Sequence, residues 1–351
     1  MPTSIRIRIG VVGAGRNTRL HHIPKLKKID GVEVVAVVNR SRASSEKVAQ
    51  EFGIERVHAH WQQLVNDPAV DAVVIGTWPY MHCPITLAAL AAGKHVLTEA
   101  RLAMNASEAR QMLAASRARP ELVTQVVPGP TTFHADTMVM QLLKEGYIGD
   151  LQSMDLHVST GMMDREAPFH WRMNRDFSGA NIMTMGIWYE CVSRWVGPAR
   201  AVMARTRVAT PYRVDPERGE RRSVDVPDHV EVLADLANGA IARMHWSGVT
   251  GFMPGPEVWL YGSEGTLRIE LLERDNLRLS GARRGDKAMA VIDIPEDKKY
   301  RWRVEEEFIG AIRGQEPVRR TSFMEAVNYM EFTEAVHISS REGRRVYLPL
   351  V

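Results

Sequence analysis

The sequence has few of the features that mark secreted, membrane-spanning or nucleic-acid-binding proteins. Only two cysteines, Cys83 and Cys191, occur in 351 residues, which is too few for a disulfide framework and typical of a reducing cytoplasm. No apolar run approaches the roughly 18–20 residues that span a bilayer, and no apolar signal segment opens the chain. The formal net charge is only +3, and its densest basic patch, Arg218–Arg222, is interrupted. We therefore expect a cytoplasmic protein that binds neither membranes nor nucleic acids.

Clustered metal ligands are also scarce in the sequence. His58 and His60 are spaced like ligands on one strand, but no carboxylate or cysteine cluster accompanies them, so no metal is predicted. Hydrophobic residues make up 45% of the chain and charged residues 25%, as in ordinary globular proteins. At this length two domains are expected.

One glycine-rich stretch organises the first half of the chain. An apolar run, Ile7–Val12, leads into Gly13-Ala14-Gly15 and a polar segment that opens a helix. This order predicts a parallel strand followed by a turn whose backbone N–H groups meet a pyrophosphate at a helix N-terminus. Thr18 replaces the third glycine of the full pattern, which serves helix–strand packing more than phosphate contact. Cofactor contacts are predicted for Gly13, Gly15, Arg16 and Asn17.

Strands and helices alternate as far as Val127. Buried strands are predicted at 32–38, 70–76, 95–98 and 123–127, with helices at 44–52, 84–92 and 107–116, which favours a doubly wound parallel sheet. After residue 127 the pattern becomes a mostly antiparallel sheet with a few helices, with a hairpin turn predicted at Asn238-Gly239. We predict an α/β protein with a Rossmann domain at 1–127 and a substrate-binding and oligomerisation domain at 128–351.

The end of the second strand bears on the choice of cofactor. NAD-binding domains place an acidic residue there to bind the ribose hydroxyls, whereas this chain has Asn39-Arg40-Ser41-Arg42. Guanidinium and hydroxyl groups suit a 2′-phosphate, so NADP(H) is favoured over NAD(H). The loops after the next two strands add Thr77, Trp78 and Glu99 to the predicted cofactor contacts. The alternative for both arginines is a solvated helix start.

Several segments, taken in order, resemble the glucose–fructose oxidoreductase/inositol dehydrogenase/rhizopine catabolism (Gfo/Idh/MocA) family. The resemblance covers nearly the whole chain, and its most specific pieces are IGVVGAG (9–15), TWPYMH (77–82), AALAAGKHVLTEAR (88–101), WR (171–172), SGANIMTMG (178–186), YGSEGT (261–266) and SREGRRVYLP (340–349). It implies a Rossmann domain, a second α/β domain with a large open sheet, and a homodimer or homotetramer. It also implies an NAD(P)-dependent oxidoreductase acting on a sugar, cyclitol or related polyhydroxylated small molecule.

The chain departs from this family at its usual catalytic positions. The family pattern Glu-Lys-Pro becomes Glu99-Ala100-Arg101, so the lysine is absent. Alignment on Gly186 puts Thr184 at the family's aspartate and Trp188 at its histidine. Oxidation of a secondary alcohol needs a base for the hydroxyl proton, and loss of such a base typically costs roughly 10²–10⁴ in rate. Neither alanine, threonine nor tryptophan serves as a base.

Other residues are candidates for the missing catalytic roles. His82, Tyr80 and His134 are predicted to carry the proton, and Arg101 to stabilise an oxyanion or bind a carboxylate. Substrate contacts are predicted for His170, Arg172, Trp188 and Tyr189. The alternative for each histidine is a hydrogen-bonded structural residue, and for each tryptophan a place in the core.

Two other functions remain open at this point. One is a sugar lyase, hydratase or hydrolase that keeps the nucleotide without net redox, because three catalytic positions are changed together. The other is a non-catalytic, nucleotide-binding partner protein, which would also keep the glycine turn.

Overall fold

The computed structural model describes residues 6–159, 164–273 and 276–350. They form two compact units. The first contains the described residues up to Pro128 together with Arg303–Val327, and the second contains 129–302 and 328–350. No helix in the described ranges is long and apolar enough to cross a membrane.

The first unit is built on a six-stranded parallel sheet with the order β3-β2-β1-β4-β5-β6. This is the strand order of a dinucleotide-binding Rossmann fold. Its strands are β1 (Ile7–Val12), β2 (Val32–Val38), β3 (Arg56–Val57), β4 (Ala72–Ile75), β5 (His95–Thr98) and β6 (Thr124–Val126). Strand β4 is buried throughout, and β1 and β2 are apolar apart from Arg8 and Glu33 near their starts, because both faces of the sheet are covered.

The helices follow the predicted order. Along the chain they are α1 (Ile23–Leu26), α2 (Arg42–Phe52), α3 (Trp61–Val65), α4 (His82–Ala91), α5 (Ala106–Arg117), α6 (Phe133–Lys144), α7 (Arg175–Ser178), α8 (Met185–Val196), α9 (Val304–Ile312) and α10 (Phe323–Glu342). A π-helical segment, Thr18–His22, runs directly into α1. Pro24 is the second residue of α1 and follows directly on this segment.

The second unit contains a nine-stranded mixed sheet with the order β16-β15-β14-β13-β7-β12-β11-β8-β17. Within the described residues, β7 and β12 are the one parallel pair of this sheet. The strands are β7 (Leu151–Ser159), β8 (Ala199–Arg207), β9 (Tyr212–Val214), β10 (Arg221–Ser223), β11 (His229–Leu236), β12 (Ile241–Ser247), β13 (Glu257–Gly262), β14 (Gly265–Glu273), β15 (Asn276–Arg283), β16 (Ala290–Val291) and β17 (Val346–Tyr347). Strands β9 and β10 form a separate pair. The predicted hairpin turn at Asn238-Gly239 joins β11 to β12, with Gly239 at a φ of +91°.

The segment 303–327 corrects the sequence-based division, which assigned it to the second domain. Its residues complete the first unit: Thr321 O accepts a hydrogen bond from Val126 N at 3.0 Å, and Arg320 O accepts one from Gln125 Nε2 at 2.6 Å. Hydrophobic periodicity cannot show that this segment packs back on the first unit, because the hydrogen bonds join residues almost 200 positions apart.

Candidate functional site

The glycine turn after β1 leaves the start of the first helix open. Gly13 has a φ of +83°, and a Cβ there would lie 2.6 Å from Thr77 Cγ2. A side chain is therefore excluded by both conformation and space. Gly15, Arg16 and Asn17 are exposed. The N–H groups of Gly13, Ala14 and Gly15 already donate to Val38 O, Asn39 Oδ1 and Gly13 O. Since the first N–H groups of a helix have no intrahelical acceptor, the donors left for an anionic ligand are those of Arg16 and Asn17.

The residue that replaces the third glycine packs against another glycine. A Cβ on Gly76, at the end of β4, would lie 2.1 Å from Thr18 Oγ1 and 2.3 Å from Gly13 O. Close approach of helix and sheet is thus achieved by the glycine on the strand side. Thr18 Oγ1 also lies 3.4 Å from Gly13 O. The threonine is therefore accommodated without opening the turn.

Asn39 and Ser41 stabilise the local backbone. Asn39 Oδ1 accepts a hydrogen bond from Ala14 N at 2.7 Å, and Asn39 Nδ2 donates to Ser44 O at 3.1 Å. Ser41 caps α2 by accepting from Ser44 N at 3.3 Å. The Asn39 amide is engaged at both ends by the backbone, and its contact with a cofactor stays a prediction. Asn39 holds the glycine turn against the start of α2.

The two arginines after β2 differ in their partners. Arg42 Nε pairs with Glu46 Oε1 at 2.7 Å on the surface of α2. Arg40 is exposed, and its guanidinium carbon lies 6.0 Å from the centroid of the Trp78 ring. Among the described residues no carboxylate pairs with Arg40. Of the two cations, Arg40 is therefore the one available to an added anion.

The end of β4 carries an unsatisfied polar group. Thr77 Oγ1 is buried and has no hydrogen-bond partner in the described part of the chain. Buried hydroxyls are normally paired, and an exception points to a missing water, ion or ligand. This orphan oxygen adjoins the Gly13 turn. The residues at this edge of the sheet therefore fit a dinucleotide. They are a turn with no room for a side chain at Gly13, the Arg40 guanidinium without a carboxylate partner in the described chain, and the buried Thr77 hydroxyl without a hydrogen-bond partner there.

His82 corrects the prediction that it carries the proton. Its side chain is fully buried, Nδ1 lies 2.9 Å from Arg101 O, and Nε2 lies 3.0 Å from Thr77 O. Burial lowers the pKa of His82 below its usual value despite the two carbonyls. Each ring nitrogen lies within hydrogen-bond distance of a backbone carbonyl, and the neutral imidazole donates to one of the two, so His82 links the loop after β4 to the segment after β5. Tyr80 lies at the exposed surface of the same loop, and Arg101 is buried.

A buried ionic cluster lies beneath the first helix. His22 Nδ1 lies 2.6 Å from Glu305 Oε1, and His22 Nε2 lies 3.0 Å from Glu99 Oε1. Burial alone would lower the pKa of His22, but hydrogen bonds to the two carboxylates and their charges raise it to about 9. Burial would raise the pKa of Glu99, yet His22 holds it below its usual value. His22 is therefore an imidazolium at neutral pH.

This cluster changes the role expected of Glu99. The Glu99 carboxylate accepts a hydrogen bond from Asn17 Nδ2, so it holds the first turn of the helix above His22. By its position in the sequence His22 could lie beside the cofactor phosphates or on the helix surface, whereas the structure buries it completely. Glu305 gave no signal, because it lies 283 residues further along the chain.

In the second unit, the positions that diverge from the family lie where α8 begins. Thr184 precedes α8, and its Oγ1 is buried without a hydrogen-bond partner among the described residues. Met183 has a φ of +40°, which is uncommon for a residue with a side chain. Backbone strain of this kind often accompanies ligand sites. The Thr184 hydroxyl is a buried polar group at the start of α8 that could bind a ligand.

Trp188 and Tyr189 are core residues of α8, exposed by only 4% and 2%. The Tyr189 ring stacks on Phe332 with centroids 3.7 Å apart, and its hydroxyl accepts a hydrogen bond from Ala199 N at 2.8 Å. Burial raises the pKa of Tyr189. The prediction of a substrate contact is corrected for Tyr189, because its ring and its hydroxyl are both used inside the unit.

His134 is the second residue of α6 and is partly buried. Within the described ranges its imidazole makes no hydrogen bond. The backbone around it is held by a buried cluster: Arg194 contacts Asp136 at 2.8 Å and Glu190 at 2.5 Å, and both Glu190 oxygens accept from Gly129 N. The imidazole thus stands on a rigid helix start with both nitrogens available.

His170 and Arg172 lie together at a short 3₁₀ turn, Trp171–Met173. His170 Nδ1 accepts a hydrogen bond from Arg172 N at 3.3 Å, and the Arg172 guanidinium lies 4.4 Å from the Trp171 ring centroid. Partial burial and the charge of Arg172 lower the pKa of His170. Both side chains are exposed.

Taken together, the Rossmann sheet, the glycine turn and the separate open-sheet unit define a two-domain, dinucleotide-binding class of protein. Two family models match the chain: an oxidoreductase family with an NAD-binding Rossmann fold over residues 7–146, and the GFO/IDH/MocA C-terminal domain over residues 137–268. The chain belongs to the GFO/IDH/MocA family of oxidoreductases, as the sequence resemblance predicted.

Individual relatives agree with this assignment. The chain is 28% identical over 349 residues to dTDP-3,4-didehydro-2,6-dideoxy-alpha-D-glucose 3-reductase of Streptomyces antibioticus, covering 96% of this chain and 98% of the relative. It is 26% identical to levoglucosan dehydrogenase of Pseudarthrobacter phenanthrenivorans over 71% of this chain and 67% of the relative. A solved levoglucosan dehydrogenase in its apo form superposes with a TM-score of 0.85 at 20% identity, over 99% of this chain and 100% of that one. The fold predicted from the sequence is confirmed.

Proposed function

We propose that this protein is an NADP(H)-preferring oxidoreductase that acts on a sugar, a cyclitol or a related polyhydroxylated small molecule. The observation that carries the cofactor preference is Arg40, a cation without a carboxylate partner in the described chain, at the end of β2. An acidic residue at that place would bind the ribose hydroxyls of NAD. A guanidinium instead offers charge-assisted hydrogen bonds to a 2′-phosphate.

The residues of the first unit divide the work of binding the dinucleotide. The N–H groups of Arg16 and Asn17, where the first helix begins, would hold the pyrophosphate, because those of Gly13, Ala14 and Gly15 are used inside the protein. Arg40 and Trp78 would hold the adenosine end, and Thr77 a polar group of the ligand. When bound, the nicotinamide supplies hydride transfer. Asn39, His82 and Glu99 keep the backbone of this edge in place through the contacts described above.

Titration of the purified protein with NADPH and NADH, followed by nicotinamide fluorescence, tests the preference. We expect Arg40→Ala to weaken NADPH binding by roughly ten- to a hundredfold, the range for a lost hydrogen bond to a charged group, and to leave NADH binding unchanged. Arg42→Ala is the matched control, because Arg42 is already paired with Glu46. Equal binding of both cofactors, or equal effects of the two variants, would refute Arg40 as the phosphate-binding residue.

The substrate class rests on the relatives, whose names describe reactions of a dTDP-sugar and of levoglucosan. With the lysine, aspartate and histidine of the family replaced by Ala100, Thr184 and Trp188, the proton must pass through another group. We assign that role to His134, whose imidazole stands at a rigid helix start without a hydrogen-bond partner in the described chain. Thr184 Oγ1 is then a hydrogen-bonding group for a substrate hydroxyl.

A panel of sugars and polyols with NADP⁺ and NAD⁺ identifies the substrate by absorbance. His134→Gln is expected to lower kcat by roughly 10²–10⁴, the typical contribution of a general base. Tyr80→Phe is the control for the other proton-carrying candidate. A loss confined to Tyr80→Phe would move the role to that loop. Product formed without net conversion of cofactor would favour the non-redox alternative.

A further inference from the structure

Three histidines and a glutamate gather on one face of the nine-stranded sheet, apart from the residues discussed above. Glu231 of β11 lies directly opposite His245 of β12. His229 precedes Glu231 by two residues, so both side chains point to the same face. On the other side of β12, His157 of β7 is the register partner of His245.

The side chains of His229, Glu231 and His245 converge. His245 Nδ1 lies 2.7 Å from Glu231 Oε1, and His229 Nε2 lies 3.4 Å from the same oxygen. One possible ligand atom from each of the three lies within 4.8 Å of the other two. Ligands about 2.0–2.2 Å from a tetrahedral zinc ion are roughly 3.3 Å apart. Small rotations of these side chains would therefore reach coordination geometry.

The burial of His245 and a neighbouring cavity also bear on this cluster. His245 is 9% exposed, and its Nδ1 is the ring nitrogen that faces Glu231. A cavity of about 540 Å³ is lined by Glu231, His245 and His157, among others. It leaves room for water as a further ligand.

The surroundings also support His229 as a ligand. Its Nδ1 lies 3.2 Å from Ser247 Oγ, while Nε2 faces Glu231. Metal-binding histidines commonly use the second ring nitrogen for such a hydrogen bond, which fixes the ring orientation. Two imidazoles and one carboxylate are a typical ligand set for zinc and related transition metals, whereas magnesium and calcium prefer oxygen ligands throughout.

We propose that His229, Glu231 and His245 bind a divalent transition-metal ion of the zinc class, with water completing the coordination. The sequence predicted no metal, because the ligands stand on two strands joined by a turn and their spacing matches no short metal motif. Pairing of β11 with β12 brings them together. The proposal is independent of the cofactor and substrate assignments.

Zinc binding to the full chain, with any affinity tag removed and metal stripped by a chelator, tests this site. The probe is Zn²⁺ alone, followed by calorimetry and by metal content after dialysis. We expect one Zn²⁺ per chain. His229→Ala and Glu231→Gln should each weaken binding by more than about tenfold, since loss of an outer partner alone costs 10–100-fold.

His60→Ala is the matched control, because it removes a histidine from the His58–His60 pair and should leave binding unchanged. Glu231 is exposed, so Glu231→Gln tests the site without disturbing the core, and circular dichroism verifies folding of each variant. Absence of stoichiometric binding by the unaltered protein, or equal binding by Glu231→Gln, would overturn the proposal. Loss of binding in His60→Ala alone would also overturn it.

Discussion

Each unit of this protein buries one cation between two carboxylates. In the first, His22 lies between Glu99 and Glu305 under the start of the nucleotide-facing helix. In the second, Arg194 lies between Glu190 and Asp136 under the start of α6. Both clusters fix helix starts that carry candidate site residues, Asn17 in one unit and His134 in the other.

The two clusters differ in how their cations respond to pH. Burial opposes the charge of Arg194, but Cys191, Glu190 and Asp136 raise its pKa further above an already high value. Arg194 therefore stays charged at any pH the fold survives. His22 has a pKa of about 9 and can lose its proton. The same architecture is thus permanent in one unit and titratable in the other.

Removal of the Arg194 guanidinium should change the free energy of unfolding more than the other substitutions in these two clusters. Arg194→Met leaves Glu190 and Asp136 buried without their cation, and breaking a buried pair in this way typically costs about 3–5 kcal/mol. Urea unfolding followed by circular dichroism measures the loss. Arg200→Met is the control, because Arg200 is exposed and no change is expected there. A variant as stable as the unaltered protein would show that the carboxylates do not need Arg194.

The cluster of His22, Glu99 and Glu305 should make the free energy of unfolding depend on pH. A folded pKa of about 9 against 6.5 for the free group means that folding favours the protonated form. The contribution is fully present below about pH 6.5 and is lost as the pH rises through 9, with a total of about 3 kcal/mol. Unfolding free energies measured between pH 6 and 9.5 should show this decline.

His22→Gln isolates that contribution, because glutamine does not titrate. The variant should be less stable than the unaltered protein at pH 6.5, and the difference between the two should shrink toward pH 9.5. A constant difference across the range would mean that His22 is already neutral. Arg194→Met should keep the decline, since its own cluster does not titrate there.

The smallest effect on the free energy of unfolding is expected for Lys25, at the edge of the His22 cluster. Lys25 Nζ lies 4.0 Å from Glu305, and its side chain is 31% exposed. Ion pairs in contact with solvent contribute about 0–1 kcal/mol, so Lys25→Met should change the free energy of unfolding by less than that. A loss comparable to that of His22→Gln would show that Lys25, rather than His22, neutralises Glu305.

Much of the fold follows from local patterns. Apolar runs predicted the parallel strands, helix caps such as Ser41 and the stop at Gly53 bounded α2, and Asn238-Gly239 predicted a hairpin. These signals suffice because burial on both faces and turn conformation depend on neighbouring residues. The return of 303–327 to the first unit was missed, because its pairing with β6 leaves no periodic trace.

The site residues also divide into those recognised from local sequence and those whose roles depend on partners far along the chain. The glycine turn was recognisable because a βα turn is a local structure, and the role of Arg40 stays a prediction. His82 resembled a catalytic base only until its two carbonyl partners were known, and Tyr189 resembled a substrate residue until its stack on Phe332 was known. The buried partners of Arg194 could not be predicted from the sequence either. The exception is Glu190, which is spaced from Arg194 by one helical turn.

The sequence by itself determined the class of fold and the place of the glycine turn after β1, since these depend on residue type in a local frame. Tertiary structure alone decided which charged and polar side chains are free to act. Protonation of His22, engagement of Asn39, availability of Arg40 and convergence of His229 with His245 all depend on partners from other strands and helices. Burial and hydrogen bonding, which set those properties, exist only once the chain is packed.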